Sequence, residues 1–188
     1  DTKSAGLDEY SLTGIKFGVY SKKSTSSSYK EGTLTVGSNG KTNSLALPAG
    51  TYYLHEDTIP SGSNYKSTGW KTVTLSKVSN GTSLSKTTKK VTIENTPVKG
   101  SLQFTKKLEG GGAPSGFEFT LTHKEDSTIK YTAKSDSNGK VSFSDLYLGK
   151  YYLSEKTKTV GTKTYFPKDN MPTSVTITSG TNKINTSN

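Results

Sequence analysis

Gly50-Thr51-Tyr52-Tyr53-Leu54-His55-Glu56 has a second version further along the chain, Gly149-Lys150-Tyr151-Tyr152-Leu153-Ser154-Glu155. Ser38-Asn39-Gly40-Lys41 precedes the first and Ser137-Asn138-Gly139-Lys140 precedes the second, at identical spacing. Further out, Gly14-Ile15-Lys16-Phe17 answers Gly116-Phe117-Glu118-Phe119. Lys90-Val91-Thr92-Ile93-Glu94-Asn95 answers Lys183-Ile184-Asn185-Thr186-Ser187-Asn188. Four blocks in the same order, repeating at about a hundred residues, mark a duplicated domain and not a solenoid repeat.

Within each copy the apolar residues fall in short alternating runs rich in Val, Ile, Phe and Tyr, separated by Gly, Asn, Ser and Pro. That is the pattern of strands and turns. Asn39-Gly40 and Asn138-Gly139 are strong turn signals. The expected fold class is all-β: two tandem antiparallel β-sandwich domains of immunoglobulin-like type, joined end to end. The boundary falls in Thr96-Pro97-Val98-Lys99-Gly100, where Pro97 cannot donate to a ladder and Gly100 opens the next strand. This divides the chain into residues 1–98 and 99–188.

Composition narrows the function. Only 28% of the 188 residues are hydrophobic, which raises disorder, but their clustering into alternating runs argues against it. No run approaches the roughly 20 apolar residues of a membrane helix, so no membrane insertion is expected. The net charge is +10, carried entirely by dispersed lysines. Without arginine the chain lacks the planar guanidinium that reads bases and phosphates, so nucleic acid is not an expected partner. The absence of cysteine removes disulfides, thiolate metal sites and thiol nucleophiles. No His pair or carboxylate dyad has metal or catalytic spacing, so neither metal nor cofactor is expected. His55 is read on the outward face opposite Glu56, and His123 in a charged turn. Asp1 is not an initiator and no signal or sorting tail is seen, so the chain reads as a piece of a longer protein.

Side chains alternate faces along a strand, which shows where polar residues point. In Leu102-Gln103-Phe104-Thr105-Lys106, Lys106 continues the apolar face of Leu102 and Phe104. Glu155 shares a face with Tyr151 and Leu153, and Asn188 follows Ile184 and Thr186. In the first domain Glu56 follows Tyr52 and Leu54, and Asn95 follows Val91 and Ile93. Lys3 is the matching lysine, eleven residues before Gly14 where Lys106 lies ten before Gly116; a lysine upstream of Asp1 is the alternative. Burial disfavours charge: in extreme cases a lysine pKa falls to about 5–6 and a glutamate pKa rises to about 8–9. A neutral amine is a nucleophile, and a carboxylic acid beside it can shuttle protons. Amide formation between Lys Nζ and Asn Cγ, with loss of ammonia, is the chemistry this trio suggests. Proximity in a folded core is worth about 7–11 kcal/mol of barrier.

The same residues carry a family resemblance. Lys106, Leu12-Thr13-Gly14-Ile15-Lys16-Phe17, the Gly-x-Tyr-x-Leu-x-Glu pattern around Glu56 and Glu155, Asn95 before Thr96-Pro97, and Ile59-Pro60-Ser61-Gly62 together resemble CnaB-type domains of Gram-positive pilins and adhesins. The resemblance implies a cross-link between first and last strands, Lys106 to Asn188 and Lys3 to Asn95, with Glu155 and Glu56 as the assisting acids. Lys156 to Thr164 departs from the family pattern. Phe166-Pro167-Lys168-Asp169 faintly echoes the motif whose lysine a sortase uses to join subunits; a surface loop is the default reading of Lys168. The implied function is a structural stalk or shaft module of an extracellular, cell wall-anchored surface protein, with self-modification instead of turnover. Its partners are then neighbouring domains or subunits. The alternative is an adhesin that binds host matrix or glycan, with Trp70 and the tyrosines as stacking surfaces; Trp70 otherwise packs at a strand start.

Overall fold

The computed structural model describes residues 6–77, 79–80, 83–84, 88–169 and 171–184. The chain divides into two compact units, residues 1–97 and 98–188. No α-helix occurs among the described residues, which agrees with the absence of any 3.6-residue period.

The first unit holds β1 (Lys16–Tyr20), β2 (Lys30–Thr35), β3 (Gly50–Thr58), β4 (Tyr65–Lys66), β5 (Lys71–Leu75), β6 (Ser79–Asn80), β7 (Ser83–Leu84) and β8 (Thr96–Pro97). Its main sheet is antiparallel with the order β2-β1-β3-β5. On β3 the alternation is clean: Tyr52, Leu54 and Glu56 are buried while Thr51, Tyr53 and His55 are not. Tyr52 and Leu54 join Val19 in a cluster over which the half-buried Leu34, Leu45, Leu47, Val73, Leu75 and Ile93 pack. The β4–β8 pair uses Thr96 and Pro97 against Lys66 and Tyr65. With the next strand starting at Lys99, four of the five residues of the Thr96-Pro97-Val98-Lys99-Gly100 boundary are therefore strand, and only Val98 lies between.

The second unit holds β9 (Lys99–Thr105), β10 (Glu118–His123), β11 (Lys130–Lys134), β12 (Lys140–Tyr147), β13 (Gly149–Glu155), β14 (Lys158–Val160), β15 (Lys163–Tyr165), β16 (Thr173–Ile177) and β17 (Gly180–Lys183). Two larger sheets form, β11-β10-β13-β16 and β12-β9-β17, beside a separate β14-β15 pair. All pairs are antiparallel except β17 with β9, which run parallel from Gly180 opposite Gly100 to Lys183 opposite Gln103. Between the sheets lie Leu102, Phe117, Leu121, Val141, Leu146 and Tyr151, each 0% exposed. Burying an aromatic or branched side chain is worth about 1.5–3 kcal/mol, so these positions dominate the stability of the unit.

The duplication is visible in detail. Phe17 pairs with Glu56 across β1 and β3, and Phe119 pairs with Glu155 across β10 and β13. The Tyr52 hydroxyl donates to the Pro48 carbonyl at 3.0 Å, and the Tyr151 hydroxyl to the Tyr147 carbonyl at 2.7 Å. Both Asn-Gly pairs close tight turns with the glycine at positive φ, 71° for Gly40 and 80° for Gly139.

Three expectations are corrected. His123 does not sit in a charged turn: it ends β10 with 1% exposure. Its Nδ1 accepts from the Glu125 N–H at 3.2 Å, which leaves Nε2–H to donate to the Leu148 carbonyl at 3.3 Å, so the charged neighbours hid a satisfied core imidazole. Val91 does not face the core: it is 37% exposed. The stretch 90–95 is also not a regular strand, since residues 88–95 join no ladder.

Candidate functional site

Each predicted acid lies in the last part of a strand, Glu56 two residues before the end of β3 and Glu155 at the end of β13, where the pleat turns it inward. Glu56 is 4% exposed. Its Oε1 accepts a hydrogen bond from Asn95 Nδ2 at 2.7 Å and its Oε2 accepts from the Thr68 N–H at 2.8 Å. The asparagine thus turns its amide nitrogen, not its oxygen, toward the acid. Glu155 occupies the matching place. Its Oε1 meets Lys106 Nζ at 2.6 Å, with side-chain exposures of 14% for the lysine and 5% for the acid.

Lys106 is held from several sides. Its N–H donates to the Gly139 carbonyl at 2.7 Å, one step beyond the end of β9. A Cβ on Gly139 would strike the Lys106 carbonyl, so this glycine serves both its left-handed φ and the close approach of the turn. The ammonium lies 5.2 Å from the Phe117 ring centroid, and Phe117 is fully buried. Lys156 to Thr164, the stretch that departs from the family pattern, contains the β14–β15 hairpin. This hairpin brings Tyr165 edge-on to Phe117 at 5.7 Å and Lys158 Nζ to 5.0 Å from the same ring.

The structure thus brings together Glu56 with Asn95, and Lys106 with Glu155. Lys3 and Asn188 lie outside the described residues. β17 runs in the same direction as β9, so both strands head toward the end of the sandwich where Lys106 sits. Lys168 is exposed, and its carbonyl accepts from the Met171 N–H at 3.0 Å. The neighbouring Phe166 is 72% exposed.

The profile of the SpaA prealbumin-like fold domain matches twice, over residues 2–90 and 100–188. The chain belongs to this family. As a pair of SpaA prealbumin-like domains it is similar to the Bacillus anthracis TIE protein, with 17% identity and a TM-score of 0.58 over 92% of this chain. The chain spans 29% of that protein's length. It is also similar to GBS52, the minor pilin of Streptococcus agalactiae, with 20% identity, coverage of 93% and 82% of the two chains, and a TM-score of 0.37. The shaft pilin spaA of Lactobacillus rhamnosus GG gives 14% identity, coverage of 92% and 85%, and a TM-score of 0.35. No curated protein matches in sequence. Of these three likenesses, the TIE protein's exceeds 0.5 and speaks to the fold alone.

One cluster escaped the sequence reading. The register of β1 against β3 slips between Lys16 and Phe17, where Asp57 is the extra residue on β3. The bulge aims Asp57 at the outer face of the sheet. Its Oδ2 accepts from the Tyr20 hydroxyl and from Lys30 Nζ, each at 2.7 Å, and its Oδ1 pairs with His55 Nδ1 at 2.9 Å. Trp70, just ahead of β5, covers the group, 5.5 Å from Tyr20 and 4.7 Å from His55 between ring centroids. Burial alone pushes the Asp57 carboxyl up, but the hydrogen bonds from Lys30, His55 and Tyr20 outweigh this and hold it below the ordinary range. A depressed folded pKa contributes stability that is complete above the unfolded value of about 3.9 and is lost as pH falls through the folded one. The first domain is therefore expected to lose stability in acid below about pH 4. Asp57→Asn is expected to flatten that part of the profile, as read by urea midpoints between pH 2 and 5.

Proposed function

We propose that the chain is a load-bearing structural module of a bacterial surface protein, in which each domain forms its own Lys–Asn isopeptide bond, Lys106 to Asn188 and Lys3 to Asn95. One observation carries the proposal. The second domain places an amine 2.6 Å from its glutamate, and the first places a carboxamide nitrogen 2.7 Å from its own. Two equivalent acids therefore contact the two different reactants.

The contacts correspond to the first two proton transfers of the reaction. Glu155 takes a proton from the Lys106 ammonium and frees the lone pair of Nζ. The amine attacks the asparagine Cγ, and the C–N bond to the amide nitrogen breaks. The protonated acid gives its proton to that nitrogen, which leaves as ammonia; the second proton of the attacking nitrogen passes to the regenerated Glu155 carboxylate and from there to the departing ammonia, which goes out as ammonium. In the first domain Asn95 Nδ2 already faces the carboxyl that would serve it. The domain belongs outside the cell, in the wall-anchored part of its parent, with neighbouring domains or subunits as partners. The single-turnover character follows from the consumption of both reactants.

Intact mass after full denaturation tests this. A deficit of two ammonia masses is expected for the chain. A single deficit abolished by Lys106→Ala leaves only the second domain linked. A chain that weighs the sum of its residues overturns the proposal.

A further inference from the structure

Gly14 and Gly116 hold the same place in the two domains, two residues ahead of β1 and of β10, at φ 85° and 73°. What sits on each glycine differs. A Cβ on Gly14 would lie 3.2 Å from Pro60 Cγ, and one on Gly116 would lie 2.6 Å from Lys158 Nζ. The first domain fills this seat with the proline of Ile59-Pro60-Ser61-Gly62. The second fills it with a lysine of the β14–β15 hairpin.

The hairpin turns one face inward. Lys158 and Tyr165 are cross-strand partners, so their side chains leave the hairpin on the same side. Both are half-buried, whereas Thr159, Val160, Lys163 and Thr164 are exposed. Lys158 Nζ donates to the Ser115 carbonyl at 2.6 Å, which fixes it at the entry to β10. There it attends the same Phe117 ring as Lys106, at 5.0 Å against 5.2 Å. Tyr165 meets that ring too, and it also reaches the loop that follows Lys106. A Cβ on Gly112 would lie 3.6 Å from both the Tyr165 hydroxyl and Leu108 Cδ1. Beneath these contacts the Lys106 and Glu155 side chains are mostly buried.

We infer that Lys158 and Tyr165 are positioning residues, through which the β14–β15 hairpin caps the Lys106 amine, holds Phe117 against it and keeps water from the Lys106–Glu155 pair. Opposite charges attract more strongly where water is excluded, so the cap keeps the amine on the acid. The cap stands on the contacts just given, and its use in the cross-link rests on the Lys–Asn reading. In that use the hairpin organises the amine before the reaction begins, which lowers the entropic part of the barrier. Neither residue touches the reacting atoms. Each acts through Phe117 and the backbone around it.

Lysine labelling tests the cap without the bond. In an Asn188→Ala chain the Lys106 amine stays free. Brief acetylation with acetic anhydride and peptide mass mapping read its accessibility, with the exposed Lys130 and Lys134 as internal references. Lys158→Ser combined with Tyr165→Ser is expected to speed Lys106 labelling about tenfold relative to those references. Lys158→Arg, which keeps a donor for the Ser115 carbonyl, is expected to label at the parent rate. Hydrogen exchange at the Leu121 and Leu153 amides reports whether the core persists. Should the double variant lose it, Lys158→Met carries the test, since it keeps the stem, drops the hydrogen bond and is expected to raise labelling about threefold. Unchanged Lys106 labelling in a variant with a protected core overturns the inference. With Asn188 restored, intact mass separates the two ideas. Faster labelling in the variants with no ammonia loss in the parent chain would keep the cap and remove the cross-link. Ammonia loss with unchanged labelling would do the reverse.

Discussion

Glu155→Ala is expected to restore the mass of one ammonia and to destabilise the second domain more than any other single change at the site. Two losses combine. On the proposed chemistry no other group takes the Lys106 proton, so the cross-link is expected not to form. The lysine is then left with 14% side-chain exposure and no carboxylate at 2.6 Å. Breaking a buried ion pair by removing one partner costs about 3–5 kcal/mol. Losing a covalent tie across a loop approaching a hundred residues costs about 4–5 kcal/mol in the chain-entropy account. These figures are not strictly additive, but either one is a large part of a domain's total of about 5–15 kcal/mol. Intact mass and urea midpoints of the two domains give the reading. Full cross-linking in this variant would remove Glu155 from the chemistry.

Asn188→Ala separates the two losses. The Lys106–Glu155 contact survives, and only the tie is absent. The expected cost is about 4–5 kcal/mol, with the ammonia mass restored for the second domain and unchanged for the first. The difference between the two variants measures what the ion pair contributes once no bond forms. An Asn188→Ala chain as stable as its parent would show that nothing covalent held the domain in the first place. Because the parent chain has no cysteine, reducing agent should alter neither result.

Much of this could be read from the residues. The alternation in Tyr52-Tyr53-Leu54-His55-Glu56 settles which way Glu56 points, because a strand has a period of two and Tyr52 and Leu54 are too apolar to face water. The same logic places Lys106 beside Leu102 and Phe104. The reading fails where local pattern and tertiary context part. His123 is surrounded by charge in sequence, yet strand β10 carries it into the core, and Nδ1 and Nε2 both find backbone partners there. The Asp57 cluster carries no signal in the sequence, because a bulge is a matter of register between β1 and β3 and leaves no mark in either strand's own residues. The β14–β15 hairpin was legible only as a departure from a family pattern. Lys90 to Asn95 reads as a strand because its residues alternate, but a strand also needs a neighbour with free hydrogen-bonding groups, and that neighbour is a property of the fold.

The parallel pairing of β9 with β17 bears on how the second domain answers tension. These two strands begin and end the described part of the unit, and they lie side by side pointing the same way. A pull on the chain's two ends therefore drags one strand lengthwise past the other. The ladder hydrogen bonds are loaded together in shear, and they cannot be unzipped one after another as they would be in a hairpin drawn apart from its open end. Such a geometry resists stretching without any covalent bond, so on the proposed chemistry a newly folded domain would keep its reactants in register under load for as long as the reaction takes.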